Sequence, residues 1–161
     1  MKSAKDTFYV ALRDRLAAVN PERRFVVRGL LRPGMMVLEN EMVTEELPAE
    51  VFILHWTDLQ VDWQQPLPLA TMRCEIQYFT DGGADSAGMD RGRRLTRMDA
   101  ELVKILSPQS AAKRKFDAEG ASAVPGTIFW GDAVFESVAV SAERLQRVAR
   151  VDVYSYEEAG E

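Results

Sequence analysis

The sequence predicts an α+β fold: a mainly antiparallel twisted sheet with two helices packed on one face. Three observations predict it. First, Leu69–Thr80 alternates at period two. Ala70, Met72, Cys74, Ile76 and Tyr78 point one way, and Leu69, Thr71, Arg73, Glu75, Gln77 and Phe79 point the other. That pattern marks a strand with one buried face. Second, the period changes after Asp81-Gly82-Gly83, and Leu95, Met98, Leu102 and Ile105 form the stripe of an amphipathic helix. Third, the remaining apolar segments are short and separated by turn residues, which suits antiparallel neighbours. The helical stripe needs an apolar surface, and the Met72/Cys74/Ile76 face supplies one.

Taken in order, Lys2–Asn20 reads as a helix with Phe8, Leu12, Leu16 and Val19 as its apolar stripe. Ser3 is placed to cap it, with Asp6 in capping-box position. Asn20-Pro21 stops it, because the residue before proline is pushed out of the α region. Phe8 is expected in the core and Tyr9 at its edge. Arg24–Leu31 reads as one strand, Arg32-Pro33-Gly34 as a turn, and Met35–Glu39 as a short return strand completing a hairpin. Met35 and Met36 are expected to fill the core, with a partner-binding surface as the alternative.

Asn40–Glu50 is an acidic run that reads as a solvated loop, since its carboxylates do not follow calcium-loop spacing. Val51–Trp56 is continuously apolar and reads as a buried strand. Pro66 and Pro68 exclude a central strand position and mark the connection into Leu69–Thr80. The glycine-rich connection Thr80–Asp90 lacks the Walker pattern and the dinucleotide fingerprint, so it reads as a flexible loop. Arg91, Arg93, Arg94 and Arg97 then crowd the start of a helix, the unfavourable end for cations. They are expected to form a solvated face paired with Asp90, Asp99 and Glu101, or else to meet an acidic partner.

Ser107-Pro108 ends that helix. Gln109–Gly126 shows no clear period and reads as a long loop, either binding or mobile. It carries the basic run Lys113-Arg114-Lys115, followed by Phe116. Thr127–Trp130 and Ala133–Val140 read as short strands, Ser141-Ala142-Glu143 as a connector, and the chain from about Gln146 to Tyr156 as a strand. Glu157–Glu161 is an acidic tail.

At 161 residues the chain is expected to form one domain, 1–161, large enough for a substantial core. Its apolar fraction of 47% and charged fraction of 28% are those of a soluble globular protein. A net charge of −5 argues against general nucleic-acid binding, and no sequence-specific nucleic-acid contact is expected. No apolar run is long enough for a membrane span. The N-terminal segment has no apolar core of a secretory signal.

The chain has one cysteine, Cys74, and one histidine, His55. Cys74 lies mid-strand on the apolar face and is expected to be a structural thiol. A single histidine leaves little room for metal or triad chemistry within one chain. His55 with Asp58 or Asp62 is the one combination that would suit a ligand-binding or enzymatic pocket, and no nucleophile in a recognisable setting accompanies it. No zinc spacing and no nucleophile elbow occurs, and no cofactor is expected. What remains is surplus apolar and amphipathic surface, including Trp56, Trp63 and Trp130, which points to association.

The order of elements resembles the tail-terminator, or minor tail, proteins of lambdoid long-tailed phages. The similar parts are the N-terminal helix with Phe8-Tyr9-Val10-Ala11-Leu12, the strand Ala70–Tyr78, the helix Asp90–Leu106 and the terminal strand Val151–Tyr156. Gln109–Gly126 and Met35–Glu39 have no counterpart in the resemblance. It implies a phage or prophage virion protein without catalysis, usually a hexameric ring. Such a ring caps the tail tube and contacts the head–tail connector. It implies location in the bacterial host cytoplasm during assembly and in the virion tail afterwards. The residues assigned to self-association or partner contact are Arg73, Glu75, Gln77, Phe79, Arg91, Arg94, Lys113, Arg114, Lys115 and Phe116. Replacing Glu75 and Phe79 by serine is expected to weaken self-association and leave the fold intact.

Overall fold

A computed structural model describes residues 1–41, 46–64, 66–107 and 113–157. The chain runs α1 (Lys2–Val19), β1 (Arg24–Val27), β2 (Leu30–Pro33), β3 (Met35–Val37), the one-turn α2 (Leu38–Glu41), β4 (Phe52–Asp62) and β5 (Leu69–Thr80). It continues with α3 (Arg91–Ile105), β6 (Lys113–Asp117), β7 (Ser122–Trp130), β8 (Val134–Phe135), β9 (Ala139–Ser141) and β10 (Arg144–Tyr156). The expected fold class is the one observed: α+β, a mostly antiparallel curled sheet, and two substantial helices on one face.

The main sheet has the order β3-β4-β5-β10-β7-β6, and β8 and β9 also pair with β10. Among the described residues only β3 and β4 pair in parallel. β5 pairs with β10 along its whole length, Leu69 opposite Tyr156 and Thr80 opposite Leu145. On its other side lies β4, from Asp62 opposite Leu69 to Ile53 opposite Gln77. β7, β8 and β9 together make one interrupted partner for the far edge of β10.

The alternation of β5 sorts its side chains as expected on the inner face. Ala70, Met72, Cys74, Ile76 and Tyr78 are fully buried. Phe8, Leu12 and Leu16 of α1, with Leu95, Met98, Leu102 and Ile105 of α3, close over that face. Each such side chain contributes about 1.5–3 kcal/mol by leaving water. Phe8 is the hinge of the packing, edge-on to both Trp56 and Trp130 at 5.7 and 5.2 Å between ring centres. A polar staple crosses the layers. The Tyr78 hydroxyl donates to Asp99 of α3 at 2.6 Å, and Arg147 of β10 lies 2.9 Å from the same carboxylate. Burial first, and then Asp99, hold the Tyr78 phenol well above its ordinary range.

Several local expectations are corrected. Ser3 does not cap α1; the helix begins at Lys2, and the Ser3 carbonyl accepts a hydrogen bond from Thr7 instead. Val19 is exposed, because the stripe has already been completed by Ala4, Phe8, Leu12 and Leu16. The segment Arg24–Leu31 is not one strand. It turns at Arg28-Gly29, both with positive φ (49° and 79°), so β1 and β2 form a tight hairpin with Val26 opposite Leu31.

Met35–Glu39 is therefore not a return strand. β3 lies parallel to β4, with Met35 opposite Phe52. Gly34 permits that entry, since a Cβ there would meet Arg23 at 2.6 Å. Of the acidic run, Glu41 lies in α2 and Glu50 pairs with Arg94. Positions 42–45, Pro108, 109–112 and 158–161 lie outside the described residues.

The stretch 113–126 is not a loop. It forms the antiparallel pair β6–β7, with Phe116 opposite Ala123. Its period is hidden because a lysine occupies an inward position. Lys115 is fully buried, and its Nζ donates to the Tyr156 carbonyl at 2.8 Å. The Thr80–Asp90 connection contains the 3₁₀ turn Ala84–Ser86, held where the Gly83 N–H donates to the Asp90 carboxylate at 2.7 Å.

Candidate functional site

The outer face of β4, β5 and β10 is the surface the helices leave uncovered. Register sets Arg73 opposite Asp152 and Glu75 opposite Arg150 across β5 and β10. On the other side it sets Asp58 opposite Arg73 and His55 opposite Glu75. A bulge at Thr57, between Trp56 and Asp58, makes this possible. Trp56 stays on the inner face against Phe8, and the extra residue returns Asp58 to the outer face.

The result is a two-row charge ladder. Arg73 stands between Asp152 at 3.0 Å and Asp58 at 3.5 Å. Arg150 stands between Glu75 at 3.1 Å and Glu136. The hydrogen bond that Arg73 donates to Asp152 raises its guanidinium above its ordinary range. Beside the ladder lies a depression of about 380 Å³ lined by Arg73, Asp132, Val134, Arg150, Asp152 and Tyr154. Phe129 stacks on Tyr154 at 5.1 Å, extending the band with aromatic surface. Five carboxylates (Asp58, Glu75, Asp132, Glu136 and Asp152) face two guanidiniums here, so the strip is acidic.

This places the assigned contact residues in three groups. Arg73, Glu75 and Gln77 are on the outer face of β5, as alternation requires. Phe79 follows the same alternation but is 1% exposed, which corrects its assignment to free surface. It forms a second small core with Met36, Val51 and Ile53, against which Phe25 of the β1–β2 hairpin packs. Arg144 stacks over its ring at 3.8 Å. Period two identifies the face of a strand, and the hairpin decides which part of that face stays wet.

Arg91 and Arg94 are engaged within the chain. Arg91 donates to the Glu143 carbonyl. Arg94 bridges Asp90 at 2.6 Å and Glu50 at 2.9 Å. This resolves the mismatch of cations at a helix start, since Asp90 precedes the helix and meets its positive end. The Gly83 N–H, then Arg94, hold the Asp90 carboxyl well below the usual carboxylate range. Of the expected pairs for this cluster, Asp90 is the one made. Asp99 pairs with Arg147 and Glu101 with Arg23.

The basic run at 113–115 is split by the strand period. Lys115 points inward and is buried, which corrects its assignment to a contact surface, while Arg114 and Phe116 point outward. Arg114, Phe116, Val10, Asp14 and Ala18 line part of a groove of about 440 Å³ between β6 and α1, which Lys113 also borders. The Phe116 N–H donates to the Thr7 hydroxyl at 2.8 Å, so α1 covers the edge of β6.

The three residues considered for a pocket do not converge. His55 is half-exposed, with Glu39 at 3.5 Å. Asp58 faces Arg73, and Asp62 accepts from the Gln64 N–H at 2.9 Å. A cavity of about 450 Å³ nearby is lined by Lys2, Lys5, Asp6, Glu39 and Trp56, with no contribution from His55. Among the described residues, no cluster of three His, Cys, Asp or Glu side chains has the proximity a metal site needs. No described helix is long and apolar enough to cross a membrane.

Sequence reasoning missed the β1–β2 hairpin as a surface. Val26, Leu30 and Leu31 are about two-thirds exposed, at 64, 67 and 59%. Arg24 and Arg28 beside them are exposed and have no ion pair among the described residues. The turn signal was weak because Arg28, and not Asn or Asp, precedes Gly29. Comparison of the chain with models of known protein families finds no match, and comparison with curated proteins finds none.

Proposed function

We propose that this chain is a non-enzymatic phage or prophage tail-completion protein of the tail-terminator type. In this reading it assembles into a homo-oligomeric ring, caps the tail tube and meets the head–tail connector. The order of elements supports the reading: an N-terminal helix, a long central strand, a helix laid on that strand and a long terminal strand paired with it. The observation that carries it is the pairing of two accessible surfaces on a protein whose helices already cover the inner face. One is the acidic ladder of β4, β5 and β10, and the other is the apolar hairpin β1–β2. Surface apolar groups that no core needs are characteristic of association. The overall charge of −5 suits a ring through which DNA passes without adhering.

The test is light scattering on the purified protein, alone and mixed with tail tubes, followed by imaging of the tube ends. The expected result is a closed oligomer, either by itself or on the tube end. A strict monomer that leaves tubes unchanged in both conditions overturns the reading.

A further inference from the structure

We propose that the β1–β2 hairpin of one copy docks on the acidic outer strip of the next copy, in a head-to-tail contact. This rests on the ring reading above and names the surfaces that would build the ring. The hairpin is a two-stranded sheet outside the main sheet. Two-stranded hairpins are marginal alone in water. This one is anchored at its base, where Phe25 packs on the second core and Arg32 pairs with Glu41 at 2.6 Å. Its far part presents Val26, Leu30 and Leu31 to solvent.

Charge selects the occupant. The hairpin 24–33 contains Arg24, Arg28 and Arg32 and no acidic residue. Arg32 is neutralised by Glu41, which leaves Arg24 and Arg28 to face a partner. The strip around Arg73 and Arg150 carries the opposite excess, with Asp132 beyond the paired ladder. Exposed apolar groups lie along the strip as well: Val134, opposite Arg150, and Phe129, opposite Tyr154. A basic, apolar finger therefore matches an acidic, apolar-edged surface.

The alternative symmetric contact, hairpin on hairpin, would bring Arg24 and Arg28 of two copies together, and like charges disfavour it. Hairpin and strip share no residue, so one copy can use both at once. A heterologous contact of this kind closes into a ring when its rotation permits.

The experiment is charge exchange, read by sedimentation velocity at low ionic strength. The hairpin variant carries Arg24→Glu and Arg28→Glu, and the strip variant carries Asp58→Arg and Asp132→Arg. Each alone is expected to associate at least tenfold more weakly than wild type. An equimolar mixture is expected to recover assembly, because a reversed hairpin then meets a reversed strip.

A third variant, Leu31→Ser, is expected to weaken assembly with an unchanged thermal midpoint. If wild type assembles and the hairpin variant assembles equally well, or the mixture stays dissociated, this inference fails and the ring reading stands. If wild type is monomeric alone and with tubes, both fail together.

Discussion

Arg23 and Glu101 lie 78 positions apart in the chain and meet as a buried ion pair that joins the turn after α1 to the later part of α3. Both side chains are less than a tenth exposed. Asn20 also donates to Glu101 at 2.7 Å, and Arg23 reaches the Glu50 carbonyl at 3.0 Å. The pair fixes the two helices on the same face of the sheet. Glu101→Ala leaves a buried guanidinium without its carboxylate, a change that costs about 3–5 kcal/mol in comparable pairs. Urea denaturation should show that loss. A loss below about 1 kcal/mol would mean that water or a neighbouring acid replaces Glu101.

Phe79→Ala and Glu75→Ser separate two residues that alternation places on one face. Phe79 is enclosed by Met36, Val51 and Ile53, so its removal is expected to cost about 3–5 kcal/mol. Glu75 pairs with Arg150 at the surface, and its loss is expected to cost less than about 1 kcal/mol. Thermal melts of the two single variants check this ordering. Equal midpoints would put Phe79 in solvent and restore the simpler view of the β5 outer face.

Cys74 is buried between the sheet and the helices, and burial pushes its thiol well above the ordinary cysteine range. It therefore stays protonated at neutral pH and presents no thiolate. A thiol reagent at pH 8 is expected to leave the native protein unmodified and to label it fully in denaturant. Rapid labelling of native protein would show that the α1–α3 layer opens readily.

The sheet's axis and both major helices were legible because their periods are clean. The inner residues of β5 from Ala70 to Tyr78 are all apolar, and the α3 stripe is unbroken. The errors came where one residue carries two demands. Lys115 is a cation at an inward strand position, so β6 reads as coil. Arg28 holds a positive φ usually given to Asn or Gly, so a hairpin reads as one strand. The outer ladder was half legible: Arg73 and Glu75 follow from alternation. Asp152, Arg150 and Asp58 needed the register and the bulge, which no local pattern encodes. Phe79 shows the same limit in reverse, since a distant hairpin covers it.

Acid should loosen the turn before α3. In the folded chain the Asp90 carboxylate accepts from the Gly83 N–H and from Arg94, which hold it well below the usual range. Asp81 is lowered in the same direction by Arg144. The unfolded chain, with ordinary carboxyl groups near about 3.9, binds protons first as pH falls. The contribution of both residues is thus complete above about pH 4 and is lost as pH drops through the folded values. Asp6 works the other way: burial raises its carboxyl, so acid relieves a small penalty there. Asp90→Asn removes one of the two lowered groups. Denaturation midpoints measured from pH 6 to pH 2 should fall less steeply for Asp90→Asn than for wild type. Parallel curves would show that the Gly83–Asp90–Arg94 bridge contributes nothing to folding.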